Sequence, residues 1–335
     1  MPADDLPPYP YDRSLSVPGA SPEGISSAQW QPLPPRPRAR NRVWLHILLF
    51  LATVLTTSLA GAGVYQGWLT DFGRESLPAG SGLGAMMVGG LWYSFAALGI
   101  LTAHELGHYF ACRYYGIDAS LPYYLPMPSM IGTFGAVIRI RQPIATKRML
   151  FDIAVAGPIA GFVVAIPMLL LGMSWSKVTA MPSGPDIVEL GEPFVFQLAA
   201  DWIFGALGDG QTVNMHPVVF GAWLGLLATA LNLVPVSQLD GGHVSYAVFG
   251  RASTIVSILS LAAALGLGYL YSPSWFFWVG LLILLMALSG FRHPRTIDEN
   301  EPLDPGRKWI AFLALLMFVL CFTPTPISPT ELVGG

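Results

Sequence analysis

Large apolar side chains along this chain gather into seven long runs, near 43–64, 84–112, 150–171, 217–236, 253–271, 275–290 and 309–323. Most approach the roughly 20 residues that an α-helix needs to cross a bilayer core. The pattern predicts an all-α polytopic membrane protein with about seven transmembrane helices. One interval departs from it. From Leu121 to Arg141, proline and glycine are dense (Pro-Tyr-Tyr-Leu-Pro-Met-Pro, then Gly132-Thr-Phe-Gly135-Ala-Val), which disfavours a continuous helix.

Charge placement orients these spans. If the N-terminus is cytoplasmic, 15 of the 17 Lys and Arg residues fall on the cytoplasmic side, and only Arg74 and Lys177 fall outside. Loops rich in these residues are retained there. Seven spans then leave the C-terminus outside. Composition agrees with a membrane assignment, with 53% hydrophobic residues, 11% charged residues and a mean hydropathy of +0.55. No nucleic-acid partner is expected; the partners implied are the lipid bilayer and membrane proteins, and nothing in the pattern sets an oligomeric state.

Residues 1–42 carry ten prolines and few large apolar side chains, which predicts a disordered cytoplasmic tail. Nothing before Val43 resembles a cleavable signal peptide, so the first span is expected to act as its own insertion signal. The remainder is expected to divide into a first span with an external loop (43–83), a core (84–292), and a tail holding a cytoplasmic loop, the last span and an external C-terminus (293–335). Within the external stretch 174–216, Phe194 to Leu207 suggests amphipathic or interfacial structure. Two cysteines, both in apolar runs, build no disulfide framework.

The second apolar run contains His104-Glu105-Leu106-Gly107-His108. Three ionisable side chains inside a span are too costly to be filler. Helical spacing puts residues four apart on one face, so both imidazoles reach one metal while Glu105 stays free as a base. A further carboxylate, Asp240, lies in Asn232-Leu-Val-Pro-Val-Ser-Gln-Leu-Asp240-Gly-Gly-His243. Two neutral imidazoles and one carboxylate give one catalytic Zn2+ per chain three protein ligands and a fourth position for water. Zinc lowers that water's pKa to about 7, and Glu105 can accept its proton and pass it to a leaving amine. By topology both segments approach the cytoplasmic face: the motif ends five residues before Arg113, about 7 to 8 Å of helix rise.

On these motifs, together with Ala156-Gly-Pro-Ile-Ala-Gly161, the chain resembles the site-2 protease family of intramembrane zinc metalloproteases, in the subgroup without an inserted PDZ domain. The resemblance covers roughly residues 84–292. It implies metal ligation by His104, His108 and Asp240, catalysis by Glu105, and a substrate-positioning role for Asn232. It also implies a membrane-associated β-hairpin after the zinc-motif helix, whose edge pairs with an unwound substrate segment. Expected substrates are single-pass membrane proteins cut within or near their transmembrane segments, in regulated intramembrane proteolysis. The expected location is a bacterial cytoplasmic membrane.

Blander readings stand beside these. Asn232 can be a helix-packing amide, and Asp240 a helix cap. Cys112, one turn beyond His108, can be a buried hydrophobe or a rung of a ligand ladder. Gly157 and Gly161 form a G-x-x-x-G spacing that reads as close helix packing. His243 is a cap, a buried polar contact or a group behind the metal ligands; His46, His216 and His293 fall near span ends, and Trp275 to Trp278 can form an interfacial belt. Two other function classes fit part of the pattern, a transporter with ionisable groups at its midplane and a metal-dependent binding protein that holds substrates without cutting.

Overall fold

A computed structural model describes residues 42–182, 188–236, 238–289 and 296–329. The expected disordered tail and His293 lie outside them. All seven apolar runs fall on helices: α1 (Val43–Leu69), α2 (Leu83–Tyr114), α3 (Lys147–Ser174), α5 (Pro217–Leu233), α7 (Ser253–Leu270), α8 (Ser274–Ser289) and α9 (Pro305–Cys321). Two short helices complete the set, α4 (Phe194–Phe204) and α6 (Asp240–Phe249); a 3-10 turn at Gly250–Ala252 joins α6 to α7. Among the described residues, four helical stretches are long and apolar enough to cross a membrane: α1, α2, α3 and the composite Asp240–Leu270. The helices α5 and α9, with 17 residues each, and α8, with 16, are shorter. At 1.5 Å per residue a 17-residue helix rises about 25 Å, somewhat less than a bilayer core.

Burial in α1 is inverted relative to a soluble protein. On α1 the buried residues are small or polar, Thr53, Thr57, Ser58 and Gly61 among them, whereas Leu48, Leu51, Leu55 and Leu59 are exposed. Lipid is as apolar as leucine, so helix association in a bilayer rests on close packing and interhelical hydrogen bonds. Both are present here. Thr57 and Ser94 hydroxyls lie 2.7 Å apart across the α1–α2 seam, and a Cβ at Gly61 or Gly90 would collide with the opposing backbone.

The hairpin expected after the zinc-motif helix is built from β1 (Tyr123–Pro126) and β2 (Thr133–Val137), paired antiparallel. It docks on α1 through the polar groups that interrupt the first apolar run. His46 Nδ1 donates to the Pro122 carbonyl at 3.0 Å, and Thr56 Oγ1 donates to the Gly132 carbonyl at 2.6 Å. Tyr93 of α2 donates to the Ile131 carbonyl at 2.6 Å. Gly132 takes φ +81° and lies against the α1 backbone at Thr56 and Thr57, a position that tolerates no side chain. Between His46 and Thr57 α1 rises about 16 Å, so the hairpin runs along roughly half the thickness of a bilayer core.

Helices α2, α3 and α5 form the centre. Gly221 and Gly225 of α5 lie against Ala96 and Ile100 of α2, and Gly172 of α3 lies against Val219. Around them Leu169, Met173, Trp223 and Leu226 are almost wholly buried. The α2–α3 crossing carries the histidines. Gly107 is pressed against the Ala156 carbonyl, and Gly157 and Gly161 sit beneath the rings of His108 and His104. The two glycines share the histidines' four-residue spacing, so an antiparallel crossing seats one ring on each. Close packing is thus the role of the G-x-x-x-G.

At the opposite end, β3 (Lys177–Ala180) pairs with β5 (Gln211–Asn214), and β4 (Val188–Leu190) pairs with β6 (Ile327–Pro329). Amphipathic α4 turns Phe196 and Ala199 into the core. His216 belongs to this end and has a more specific role than an interfacial residue. It caps α5, Nδ1 accepting from the Val218 amide at 3.3 Å, among Trp68, Trp92 and Trp175. Burial pushes its pKa down to about 4. Trp275 also departs from expectation: it is buried, with its indole donating to the Pro324 carbonyl at 2.7 Å.

These contacts yield two expectations. His216 binds a proton more readily when unfolded, at its ordinary pKa of about 6.5, than when folded. Its stabilising effect is therefore complete above pH 6.5 and diminishes as pH falls toward 4. A melting series in detergent should show this loss in the wild type and a smaller one in His216→Asn, which retains a capping side chain without the imidazole. In the second, Gly157→Val drives a side chain into the His108 ring and should destabilise by about 1–3 kcal/mol. Gly63→Ala, where the added methyl meets nothing, should leave the midpoint unchanged or higher.

Candidate metal centre

Successive turns of α2 aim His104 and His108 at one point, their Nε2 atoms 3.1 Å apart. Asp240, the first residue of α6, brings Oδ2 to 3.2 Å from His104 Nε2 and 3.3 Å from His108 Nε2. The three donors come from residues up to 136 positions apart in sequence. Among the described residues this is the one convergent group of three His, Cys, Asp or Glu side chains. A tetrahedral zinc with metal–donor distances of about 2.0–2.1 Å separates its ligand atoms by about 3.3 Å. The observed triangle has that size, and its donors are those zinc takes, so the residues fit the ion.

What holds each donor is equally specific. His108 Nδ1 donates to the Ile153 carbonyl of α3 at 2.7 Å, which selects the tautomer with a free Nε2 lone pair. Asp240 is delivered by the reversal between α5 and α6. There Gly241 lies so close to the Leu233 carbonyl that no side chain fits, and Ser257 of α7 donates to the Pro235 carbonyl at 2.8 Å. The carboxylate also stands at a helix N-terminus, where the backbone dipole favours negative charge.

Glu105 is buried beside this group but outside it. A cavity of about 350 Å³ joins the parts: His104, Glu105, His108, Asn232 and Asp240 line it together with Ala136 to Ile138 of the hairpin. Asn232, in the last turn of α5, places its amide nitrogen 3.4 Å from His104 Nε2. His243 lines the cavity one turn beyond Asp240. Cys112 is apart from the group, packed among Ile117, Ala119 and Ile153, which ends the ligand-ladder reading.

Other supports had no readable signal in sequence. Tyr124 of β1 and Thr102 of α2 pair their hydroxyls at 2.7 Å, two residues before the motif. Arg307 of α9 grips Asp152 of α3 with two bonds, Nε to Oδ1 at 2.8 Å and Nη2 to Oδ2 at 2.5 Å, and also holds Asp304 at 2.6 Å. Tyr115, just past α2, donates to the same Asp152 carboxylate. Burial, reinforced by that carboxylate, pushes the phenol up to about 12, so it remains a donor. Asp152 precedes Ile153, so this network secures the backbone that fixes the His108 tautomer. Nothing local in the sequence indicated that these charges meet.

Comparison with known proteins places this geometry in a lineage. The family model for peptidase family M50 matches residues 92–272, which include the whole metal group and Glu105. The chain is 32% identical over 249 residues to the probable zinc metalloprotease EGY2, chloroplastic, of Oryza sativa subsp. indica, covering 72% of this chain and 44% of that protein. It is 31% identical over 249 residues, with the same coverages, to the probable zinc metalloprotease EGY1, chloroplastic, of Arabidopsis thaliana. The chain thus spans less than half the length of these curated relatives. No solved structure matches it. The family match covers more than half of the chain, and with it the segments that build the metal group: this chain belongs to peptidase family M50.

Proposed function

We propose that this chain is an intramembrane zinc metallopeptidase that hydrolyses peptide bonds within or near transmembrane segments of other membrane proteins. The observation that carries the reading is the zinc-sized triangle of His104, His108 and Asp240, with a carboxylate beside it, in a cavity among helices of membrane-spanning length. Bound by the three, zinc supplies a Lewis acid that polarises the scissile carbonyl and makes water nucleophilic at neutral pH. Glu105 acts as the general base and then the acid. Its carboxylate accepts a proton from the attacking water as the new C–O bond forms, and returns it to the amine nitrogen as the C–N bond breaks. Asn232, on the same cavity wall, orients the substrate backbone or donates to the carbonyl oxygen as it gains charge.

A transmembrane substrate reaches this cavity as a helix, with its peptide groups hydrogen-bonded to one another, so it must first unwind. The hairpin supports a way to hold the opened segment. Among the described residues β2 pairs only with β1, and its residues Ala136 and Val137 line the cavity. An extended segment added there gains backbone partners in place of those of its helix. The charge distribution favours a site nearer the Lys- and Arg-rich face, so that a cut releases a soluble fragment there, as in regulated intramembrane proteolysis. Charge alone does not name the membrane: a bacterial cytoplasmic membrane suits the reading, and the curated relatives are chloroplastic.

Zinc content and cleavage of tagged transmembrane segments, measured on one detergent preparation, test the assignment. Wild type should hold about one zinc. Glu105→Gln should keep the metal and lose roughly 10²–10⁴-fold in cleavage rate. Asp240→Ala should lose the metal, and Asn232→Ala should keep it while cutting more slowly. Cleavage by Glu105→Gln at the wild-type rate would refute the mechanism.

A further inference from the structure

We propose that a second cavity, a groove of about 590 Å³ among α6, α7 and α9, binds one anionic glycerophospholipid. The groove is apolar along its length, with Val244, Leu267, Ala311 and Phe318 among its walls. Phe312 and Leu315 of α9 line it while remaining exposed, and α7 carries further exposed apolar side chains at Ile255, Ile258 and Leu259. α7 belongs to a stretch of membrane-spanning length, so acyl chains are the medium this surface meets.

Two polar groups make the groove a site for a particular occupant. Ser245 is 5% exposed, lines the groove, and its Oγ has no hydrogen-bond partner among the described residues. A buried hydroxyl without a partner is unfavourable, and the ester carbonyl of a glycerolipid is an acceptor of the right kind. Lys308 also lines the groove, in the first turn of α9, and forms no ion pair among the described residues. Its basic neighbours are committed elsewhere, Arg307 to Asp152 and Asp304, and Arg251 to Glu299. An ammonium beside an apolar slot, with a hydroxyl inside it, matches a phosphate, acyl chains and an ester carbonyl.

The site is separate from the metal cavity yet backs on to it. Leu233 to Pro235 and Gly241 face the groove, whereas Asn232, Val236 and Asp240 face the cavity. A lipid in the groove therefore packs behind the reversal that delivers Asp240. The proposal does not depend on the peptidase assignment, since its readout is bound lipid and not cleavage.

Native mass spectrometry of the full chain in detergent, after incubation with phosphatidylglycerol or phosphatidylcholine, tests it. Wild type should retain about one phosphatidylglycerol and roughly tenfold less phosphatidylcholine. Lys308→Glu should lower phosphatidylglycerol retention about tenfold or more, and Lys308→Arg should preserve it. Ala263→Trp, which fills the groove from an exposed position on α7, should abolish retention of both lipids. Retention unchanged by Lys308→Glu and Ala263→Trp, or equal for the two lipids, would overturn the proposal. So would an Ala263→Trp variant that keeps phosphatidylglycerol but no longer captures a tagged transmembrane segment, since the groove would then be a seat for substrate helices.

Discussion

Polar groups taken out of water must find partners, and in a chain built largely of apolar helices that requirement shapes many of the polar contacts. Thr57 meets Ser94, His46 and Thr56 meet hairpin carbonyls, and Asp152 meets both Arg307 and Tyr115. The most demanding case is the trio His104, His108 and Asp240. Two imidazoles and a carboxylate with their donor atoms little more than 3 Å apart gather lone pairs at one point, and a divalent cation suits that point. The same apolar surroundings that make the trio costly also strengthen any electrostatic interaction within it.

Small residues make the arrangement reachable. Gly157 and Gly161 let α3 approach until each lies under one imidazole, and that proximity brings the Ile153 carbonyl to His108 Nδ1. The Asp152–Arg307 pair then ties α9 to the same stretch of α3. Helix packing, tautomer choice and ligand direction are therefore one problem. A bulkier residue at Gly157 would disturb all three.

The hairpin shows how irregular backbone is accommodated among such helices. Its outer carbonyls are satisfied by α1 and α2, while β2 turns toward the cavity that holds Glu105. Strand edges avoid lipid when they are covered by protein or line a polar cavity, and this hairpin does both. The groove among α6, α7 and α9 is the complementary case: an apolar surface with one lysine and one unsatisfied hydroxyl, next to the turn that carries Asp240.

Much of this was legible in the chain alone. Seven apolar runs became helices, because a segment that must satisfy its own backbone in lipid has few alternatives to α-helix. His104 and His108 converge by helical spacing, a local property, and the density of proline and glycine marked the interval between α2 and α3 as non-helical, while the hairpin itself was implied only by the family resemblance. Span count was less legible: hydropathy locates an apolar helix, but α5, α8 and α9 are too short for composition to settle whether each crosses. Asp240 could be nominated from its motif, yet only the tertiary structure carries its carboxylate to within 3.3 Å of both histidines. The Ile153 carbonyl, the Asp152–Arg307 clamp and the seating of each imidazole on a glycine had no sequence signal. Periodicity and spacing report what a segment does by itself. Which backbone groups and charges meet depends on the register and crossing of helices far apart in the chain, and those are decided only when the helices pack.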